Sequence, residues 1–198
     1  NPKYGSEKKG QPTTYYLSAA PEPIRINAEY HHVDVVLSPD PNVFEHSNPV
    51  SGLDKNGVLV IQSHLENEDM VWRSFPTHAQ RYIIENNIHV FYLDAFKIAR
   101  EEASNPELQF RMQGIAFQGA FFATSSVMKK ADFNEKTLFR AIEDQLHSKF
   151  GSKGQHVVDD NLRVVRRGFD EIHEITHKDI TEASQQILRK ESQLPVML

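Results

Sequence analysis

The sequence contains no cysteine among its 198 residues. This absence excludes disulfide bonds, a thiol nucleophile and any iron–sulfur cluster held by thiolates of this chain. It also fits a cytoplasmic protein, because disulfides are rare in that compartment. If the chain serves an enzyme that moves electrons through iron–sulfur clusters, other domains have to hold those clusters.

Long apolar runs and an excess of positive charge are missing as well. No run approaches the roughly 20 apolar residues that cross a bilayer, and the start of the chain is not a signal peptide. The formal net charge of -5 argues against nucleic acid as the main partner. Residues 4–10 read as an internal loop, so we expect a fragment or a processed chain. The length predicts one globular domain, with or without an extension.

Three short apolar runs predict a parallel sheet. They cover residues 33–37, 58–61 and 88–93, and none alternates between apolar and polar positions. Such runs are typical of strands that are buried on both faces. Their spacing leaves room for a crossover helix between each pair. Residues 13–17 predict an additional edge strand.

The intervening and following segments predict helices. Crossover helices are expected over residues 66–75 and from Pro76 to residue 86, and a turn over residues 54–57. The second half is helical, and its predicted segments are residues 108–128, a helix capped by Asn134 and closed by Gly151, and a helix from about Gln155 to residue 172. We therefore predict a three-layer, Rossmann-like α/β domain with a mainly parallel sheet over residues 1–176. Residues 177–198 are expected to form a connector or arm.

Several polar residues are candidates for ligand binding. The loop Ser6-Glu7-Lys8-Lys9-Gly10 presents a hydroxyl, two cations and a glycine ahead of a strand, as anion-binding loops do, although a solvated charge run gives the same pattern. Asn161 falls on the apolar stripe of its helix, where an amide without a partner costs roughly 1–3 kcal/mol. It is expected to bond either to backbone or to a ligand. Gln113 and Gln118 interrupt an apolar helix in a similar way.

The carboxyl ends of parallel strands are the usual ligand edge of an open sheet. Here they carry polar residues at positions 38–40, 62–64 and 94–97. Each of these residues also suits an ordinary cap or loop.

Residues 173–177 match the H-E-x-x-H pattern of zinc peptidases. The pattern lies at the end of the domain, in a segment that is about to leave helix, and no third ligand is evident after it. No Ser-His-Asp set or pair of catalytic carboxylates is recognisable either. The sequence therefore argues against a self-contained catalyst and predicts no metal site.

In its order of segments, the chain resembles the gamma domain of pyruvate:ferredoxin and related 2-oxoacid oxidoreductases. Each segment is short, but their order and spacing together are specific. The segments are residues 6–10 (SEKKG), 23–24 (PI), 28–37, 52–60 (GLDKNGVLV), 94–99 (DAFKIA), 118–122 (QGAFF) and 151–161 (GSKG through Asn161).

The resemblance implies a role in coenzyme A binding. Family members decarboxylate a 2-oxoacid on thiamine diphosphate and Mg²⁺, pass electrons through iron–sulfur clusters to ferredoxin or flavodoxin, and form an acyl-CoA. Those cofactors belong to partner domains or subunits, whereas the gamma domain helps to bind CoA. By motif, Lys8 and Asn161 match family contacts, and Ser6, Lys9 and Gly10 flank Lys8.

Two departures from the family pattern concern the same site. The strand and glycine-rich turn with which the domain normally begins are not found here, and Gly114, beside Gln113, stands where many relatives carry an asparagine. Either Gln113 takes the place of that asparagine or this contact is absent, and the predicted CoA site includes both Gln113 and Gly114. A structural or interaction domain without a ligand is the alternative, and a zinc peptidase is the remote one.

The absence of cysteine and of any recognisable thiamine-site motif leads to the first prediction. The purified chain, assayed with pyruvate or 2-oxoglutarate, CoA and a dye acceptor, should show no turnover, because no group in it can carry electrons. The control is the complete oxidoreductase under the same conditions. Reproducible CoA-dependent dye reduction by the pure chain would contradict the prediction.

Overall fold

The computed structural model describes residues 14–20, 22–25, 31–104 and 109–180, with the side chains at positions 110 and 111 excepted. Four strands form one sheet in the order β1-β2-β3-β4. The strands are β1 (Val33–Ser38), β2 (Leu53–Gln62), β3 (His89–Leu93) and β4 (His173–Glu174). The first three are parallel, and β4 pairs antiparallel with β3.

Eight α-helices surround the sheet in the described residues. They are α1 (Val43–His46), α2 (Glu68–Ser74), α3 (Thr77–Glu85), α4 (Ala95–Glu102), α5 (Gln109–Thr124), α6 (Val127–Lys130), α7 (Glu135–Phe150) and α8 (Gln155–Asp170). None of these helices combines the length and the apolar composition that crossing a bilayer requires.

The three predicted strands and the crossover helices are confirmed. The capping side chain of Asn67 accepts from the Met70 N–H at 3.0 Å, so α2 begins two residues later than predicted. Residues 54–57, predicted as a turn, lie within β2. Val33 pairs with Leu53, whereas Val35 pairs with Val58. Residues 54–57 are therefore extra residues of β2 that have no partners in β1 and form a bulge.

The sheet is buried on both faces, as expected of a three-layer domain. In β2 and β3, Leu59 and Tyr92 pack toward α2 and α3, whereas Val60 and Leu93 pack toward α4, α5 and α8. Neighbouring side chains of a strand point to opposite faces, so the apolar runs serve two cores at once. A third core lies between α7 and α8.

The helix boundaries in the second half follow local capping. Asn134 caps α7 as predicted, and it forms a capping box with Thr137. The predicted long helix is interrupted, because α5 ends at Thr124 and α6 starts at Val127. Gly151 is the C-cap of α7, as predicted, but its φ of -54° is not left-handed. A 3₁₀ turn follows over Gly151–Lys153, and Gly154 makes the break at φ 106°.

Two sequence predictions at the ends of the domain were wrong. Within residues 14–20, Tyr15 makes a single β-bridge in place of the predicted edge strand. At the other end the last helix stops at Asp170, two residues before its predicted end, and the short strand β4 that follows was not predicted. The pairing of Phe91 with Glu174 and of Tyr92 with His173 supplies backbone partners that a continued helix would not have used.

Helices α5 and α8 cross at a glycine on each side. A Cβ atom added at Gly119 would lie 2.0 Å from the Val165 carbonyl oxygen, and one added at Gly168 would lie 2.0 Å from that of Ala116. Only glycine permits backbones to approach so closely. The matched positions also show that the two helices run antiparallel.

The crossing predicts opposite effects of alanine at two positions of α5. Gly119→Ala should lower the free energy of unfolding by about 3 kcal/mol, because the methyl group forces the helices apart. Gly114→Ala should raise it by up to about 1 kcal/mol, since a Cβ there meets nothing within 4 Å and alanine favours helix. Urea unfolding of both variants measures the effects. Equal shifts in the two variants would refute the close crossing.

Candidate functional site

The carboxyl ends of β2 and β3 are joined by a buried amide. Gln62 is 2% exposed; its Nε2 donates to Asp94 Oδ1 at 3.0 Å, and its Oε1 accepts from the Ala95 N–H at 2.9 Å. Asp94 also caps α4 by accepting from the Lys97 N–H. These residues therefore connect the carboxyl ends of β2 and β3 by hydrogen bonds within the chain. Their contacts are those of ordinary cap and loop residues.

Gln113 reaches the same edge from α5. Its Nε2 donates to the Pro39 carbonyl oxygen, in the loop after β1, at 2.8 Å. Gly114, the next residue, is exposed, and the space beside it is open. The amide N–H of Gln113 is thus used within the chain, while Gly114 leaves room above the helix.

Asn161 is buried on α8, as its place on the apolar stripe predicts. It is 7% exposed, and its Nδ2 donates to the Val157 carbonyl oxygen at 2.7 Å. Among the described residues no group donates to its Oδ1. The backbone therefore satisfies one side of the amide, and the acceptor side stays available.

The structure does not bring Gln113 and Asn161 together. In the antiparallel register set by Gly119 opposite Val165, Gln113 lies level with the C-terminal end of α8, and Asn161 lies toward its start. At 1.5 Å per residue the two positions are separated by about 15 Å along the helix axis. A single small group cannot contact both side chains, but an elongated ligand can. The loop residues Ser6, Lys8, Lys9 and Gly10 lie outside the described residues.

A charged network next to Asn161 was missed by the sequence reading. Asp160 is 2% exposed; its carboxylate accepts from the Ser104 N–H at 3.2 Å and from the Ser104 hydroxyl, and it pairs with Arg163. Burial raises the pKa of Asp160, but the bonds from Ser104 and Arg163 outweigh it, and the net shift is downward. Sequence offers no signal here, because the partner Ser104 is 56 residues away.

The same network ties α8 to α4 through Arg163 and a second arginine, Arg167. Arg163 pairs with Glu102 at 2.8 Å, and Arg167 pairs with Glu101, Glu102 and Glu171. The pKa of Arg167 is raised, first by its bond to Glu171, and that of Glu102 is lowered, first by its bond from Arg163. The network fixes α8 relative to the end of α4.

The H-E-x-x-H pattern does not have the geometry of a zinc site. His173 and Glu174 form β4, and residues 175–180 are neither helix nor strand, so the two histidines do not share a helix face. His173 packs on the ring of Tyr92, whereas His177 Nδ1 lies 2.7 Å from Glu68 Oε1. Across residues 14–20, 22–25, 31–104 and 109–180, no three His, Asp or Glu side chains are grouped to hold a metal ion.

Residues 173–179 form a segment that we call the C-terminal strap. It is anchored by the fully buried Ile175, by Thr176, whose N–H donates to Glu68 Oε2 at 2.7 Å, and by Asp179, whose carbonyl accepts from Trp72 Nε1 at 2.9 Å. Residues 177–179, which were assigned to the connector, thus contact the domain. That domain boundary stays a prediction.

The fold defined by these elements is an open, mainly parallel α/β sheet with helices on both faces, in the Rossmann-like class. A family model described as pyruvate ferredoxin/flavodoxin oxidoreductase matches residues 1–171. The chain therefore belongs to this family, within which it corresponds to the gamma domain.

Named relatives fall into two groups. The pyruvate-flavodoxin oxidoreductase of Klebsiella pneumoniae is 24% identical over 173 residues, which are 87% of this chain but 14% of that protein. The common gamma subunit of the pyruvate/ketoisovalerate oxidoreductases of Thermococcus litoralis is 22% identical over 169 residues, 85% of this chain and 77% of that one. The chain thus spans about a seventh of the long relatives and most of the separate subunit.

A solved structure shares the fold. Pyruvate oxidoreductase subunit PORC from Thermotoga maritima superposes with a TM-score of 0.50 at 23% identity. The match covers 73% of this chain and 66% of the other.

The bonds between Glu68 and the strap predict a pH dependence. The pKa of His177 is raised above 6.5 by its bond to Glu68 and by that carboxylate's charge. A raised folded-state pKa contributes stability that is complete below the unfolded pKa and is lost as pH rises through the folded pKa. The strap should therefore loosen as pH rises above about 6.5, which the hydrogen-exchange protection factor of the Thr176 amide measures.

The control for this prediction is His177→Ala. In that variant the protection factor should be lower near pH 6 and nearly constant up to pH 9, because no titrating partner remains beside Glu68. The pKa of Glu68 is lowered, first by the Thr176 N–H, so its contribution fades only as pH falls below 4.5. The same loss of protection at high pH in both proteins would exclude His177 as the cause.

Proposed function

We propose that this chain is the CoA-binding gamma domain of a thiamine diphosphate-dependent 2-oxoacid oxidoreductase. The whole enzyme would convert a 2-oxoacid and CoA to an acyl-CoA and carbon dioxide, with two electrons passing to ferredoxin or flavodoxin. Membership of the family and similarity to pyruvate-flavodoxin and pyruvate:ferredoxin oxidoreductases support this activity. The chain contributes no catalytic residue and no electron carrier of its own.

The observation that carries the CoA proposal is the buried amide of Asn161. Asn161 is 7% exposed on an apolar helix face, and its Oδ1 accepts no hydrogen bond from the described residues. A hydrogen-bond donor on a ligand would satisfy it. CoA offers such donors in the amides of its pantetheine arm, and its phosphates suit the cations of the loop that contains Ser6, Lys8, Lys9 and Gly10.

Other cofactors of the enzyme belong elsewhere in this proposal. Iron–sulfur clusters need thiolate ligands, and the sequence has no cysteine. Thiamine diphosphate and its Mg²⁺ would be held by partner domains or subunits as well. The partners of this chain are therefore the remaining parts of the same cytoplasmic oxidoreductase, and through them the electron acceptor.

A structural domain without a ligand is the second candidate. The bonds from Gln113 to the Pro39 carbonyl and from Asn161 to the Val157 carbonyl favour it, since the NH2 group of each amide already donates one bond within the chain. The two candidates differ in whether substitutions at these positions change CoA affinity without changing the rest of the reaction.

Substitutions of Lys8 and Asn161 in the complete enzyme test the CoA proposal. Lys8→Ala should weaken CoA binding about tenfold or more, because a charged bond contributes on the order of 1.5–3 kcal/mol. Asn161→Ala should weaken it about fivefold, since a neutral bond contributes about 1 kcal/mol. Added salt should narrow the difference, because screening acts mainly on the charge. Titration with CoA at two salt concentrations gives both effects.

The control is the decarboxylation half-reaction that precedes CoA. It should proceed at the wild-type rate in both variants, because thiamine diphosphate is held by partner domains, and thermal unfolding of each purified variant checks separately that this domain is folded. Unchanged CoA affinity in both variants would favour the structural domain.

A further inference from the structure

Two lysines lie against one phenylalanine ring at the junction of α7 and α8. Lys149 Nζ is 5.4 Å from the ring centroid of Phe150, and Lys153 Nζ is 5.6 Å from the same centroid. Cations within about 6 Å of a ring centroid are attracted by the ring's negative face. We call these three residues the lysine cradle.

The ring of the cradle is fixed, whereas the cations face solvent. Phe150 is half-buried and packs against the core between α7 and α8. Lys149 and Lys153 are both exposed. One lysine comes from the last turn of α7 and the other from the 3₁₀ turn that follows. The Phe150 ring thus lies close to two exposed lysine side chains and attracts both ammonium groups to the same part of the surface.

The charges of the cradle are not neutralised within the described residues. No carboxylate there lies within ion-pair distance of Lys149 or Lys153, whereas Arg163, Arg166 and Arg167 all have acidic partners. Two like charges beside one ring repel each other, and a bound anion would remove that repulsion. A phosphate monoester carries about 1.5 to 2 negative charges at pH 7, which matches two lysines.

The position of the cradle relates it to Asn161. Helix α8 begins at Gln155, directly after Gly154, and Asn161 follows six residues later. That separation is about 9 Å along the helix axis. CoA carries its phosphates at one end and its pantetheine amides farther along, and the extended molecule is longer than this axial separation.

We propose that Lys149 and Lys153 bind a phosphate group of CoA, with the pantetheine arm directed toward Asn161. This inference rests on the proposed CoA-binding function and adds a phosphate subsite to it. The cradle supplies charge and Asn161 supplies a neutral acceptor. The contribution of the cradle should therefore depend on the phosphates of the ligand and on salt.

The test compares three ligands on the complete oxidoreductase. CoA, dephospho-CoA and pantetheine are titrated into the wild-type enzyme and into the double variant Lys149→Ala/Lys153→Ala. The double variant should bind CoA about tenfold more weakly, a loss that added salt reduces, and should bind pantetheine as the wild type does. A loss restricted to CoA assigns the 3′-phosphate, and a loss shared with dephospho-CoA assigns the diphosphate.

Lys129→Ala/Lys130→Ala is the matched control. These two exposed lysines of α6 give the same change in net charge, and within the described part of the chain neither lies over an aromatic ring. CoA affinity should stay at the wild-type value in this variant. An equal loss in both double variants would mean a general effect of net charge and would overturn the lysine cradle.

The remaining outcomes separate this inference from the proposed function. Wild-type CoA affinity in the cradle variant overturns the phosphate subsite and leaves CoA binding by the domain intact. Equal weakening of CoA and pantetheine overturns it too, because that pattern indicates distortion of the fold. If the wild-type enzyme decarboxylates its 2-oxoacid but binds no CoA, the proposed function fails, and the subsite fails with it.

Discussion

The close crossing of α5 and α8 is the constraint on which the second half of the domain depends. Because Gly119 and Gly168 bring the two backbones into contact, α8 can face two cores at once. Val164 packs toward the sheet, and the next residue, Val165, packs toward α7. A wider crossing would open both cores together. The segment QGAFF, by which the chain resembles its family, contains this contact.

The sequence allowed the central architecture to be predicted, because each apolar run serves two faces of a parallel sheet. What it could not show is where long-range backbone pairing overrides local preference. β4 exists because its backbone pairs with β3, more than 80 residues earlier. Local spacing at residues 173–177 shows the H-E-x-x-H pattern at the end of a helix and does not indicate a strand. Likewise, residues 54–57, which were predicted as a turn, form a bulge within β2. Only the pairing of β2 with β1 reveals this bulge.

The candidate site was predictable one residue at a time but not as an arrangement. Helical periodicity sufficed to predict the burial of Asn161, since it needs only the neighbours four residues away. The separation of Gln113 from Asn161 depends on the direction and register of two helices, which periodicity does not contain. Asp160 illustrates the same limit. From the sequence, an aspartate beside an apolar stripe is expected to be exposed, and its burial depends on Ser104, which only the fold brings next to it.

Helix α8 is held in place by contacts with α4, α5 and the sheet. Arg163 and Arg167 fix it to the end of α4, the crossing glycines set its distance from α5, and β4 follows it into the sheet. Its position is therefore determined at several points along its length, although Asn161 itself makes only a local bond. A ligand that contacts Asn161 would bind to a helix whose backbone is already held in place. The protein would therefore lose little conformational entropy on binding. Preorganisation of this kind favours affinity for an elongated ligand that has to order its own chain.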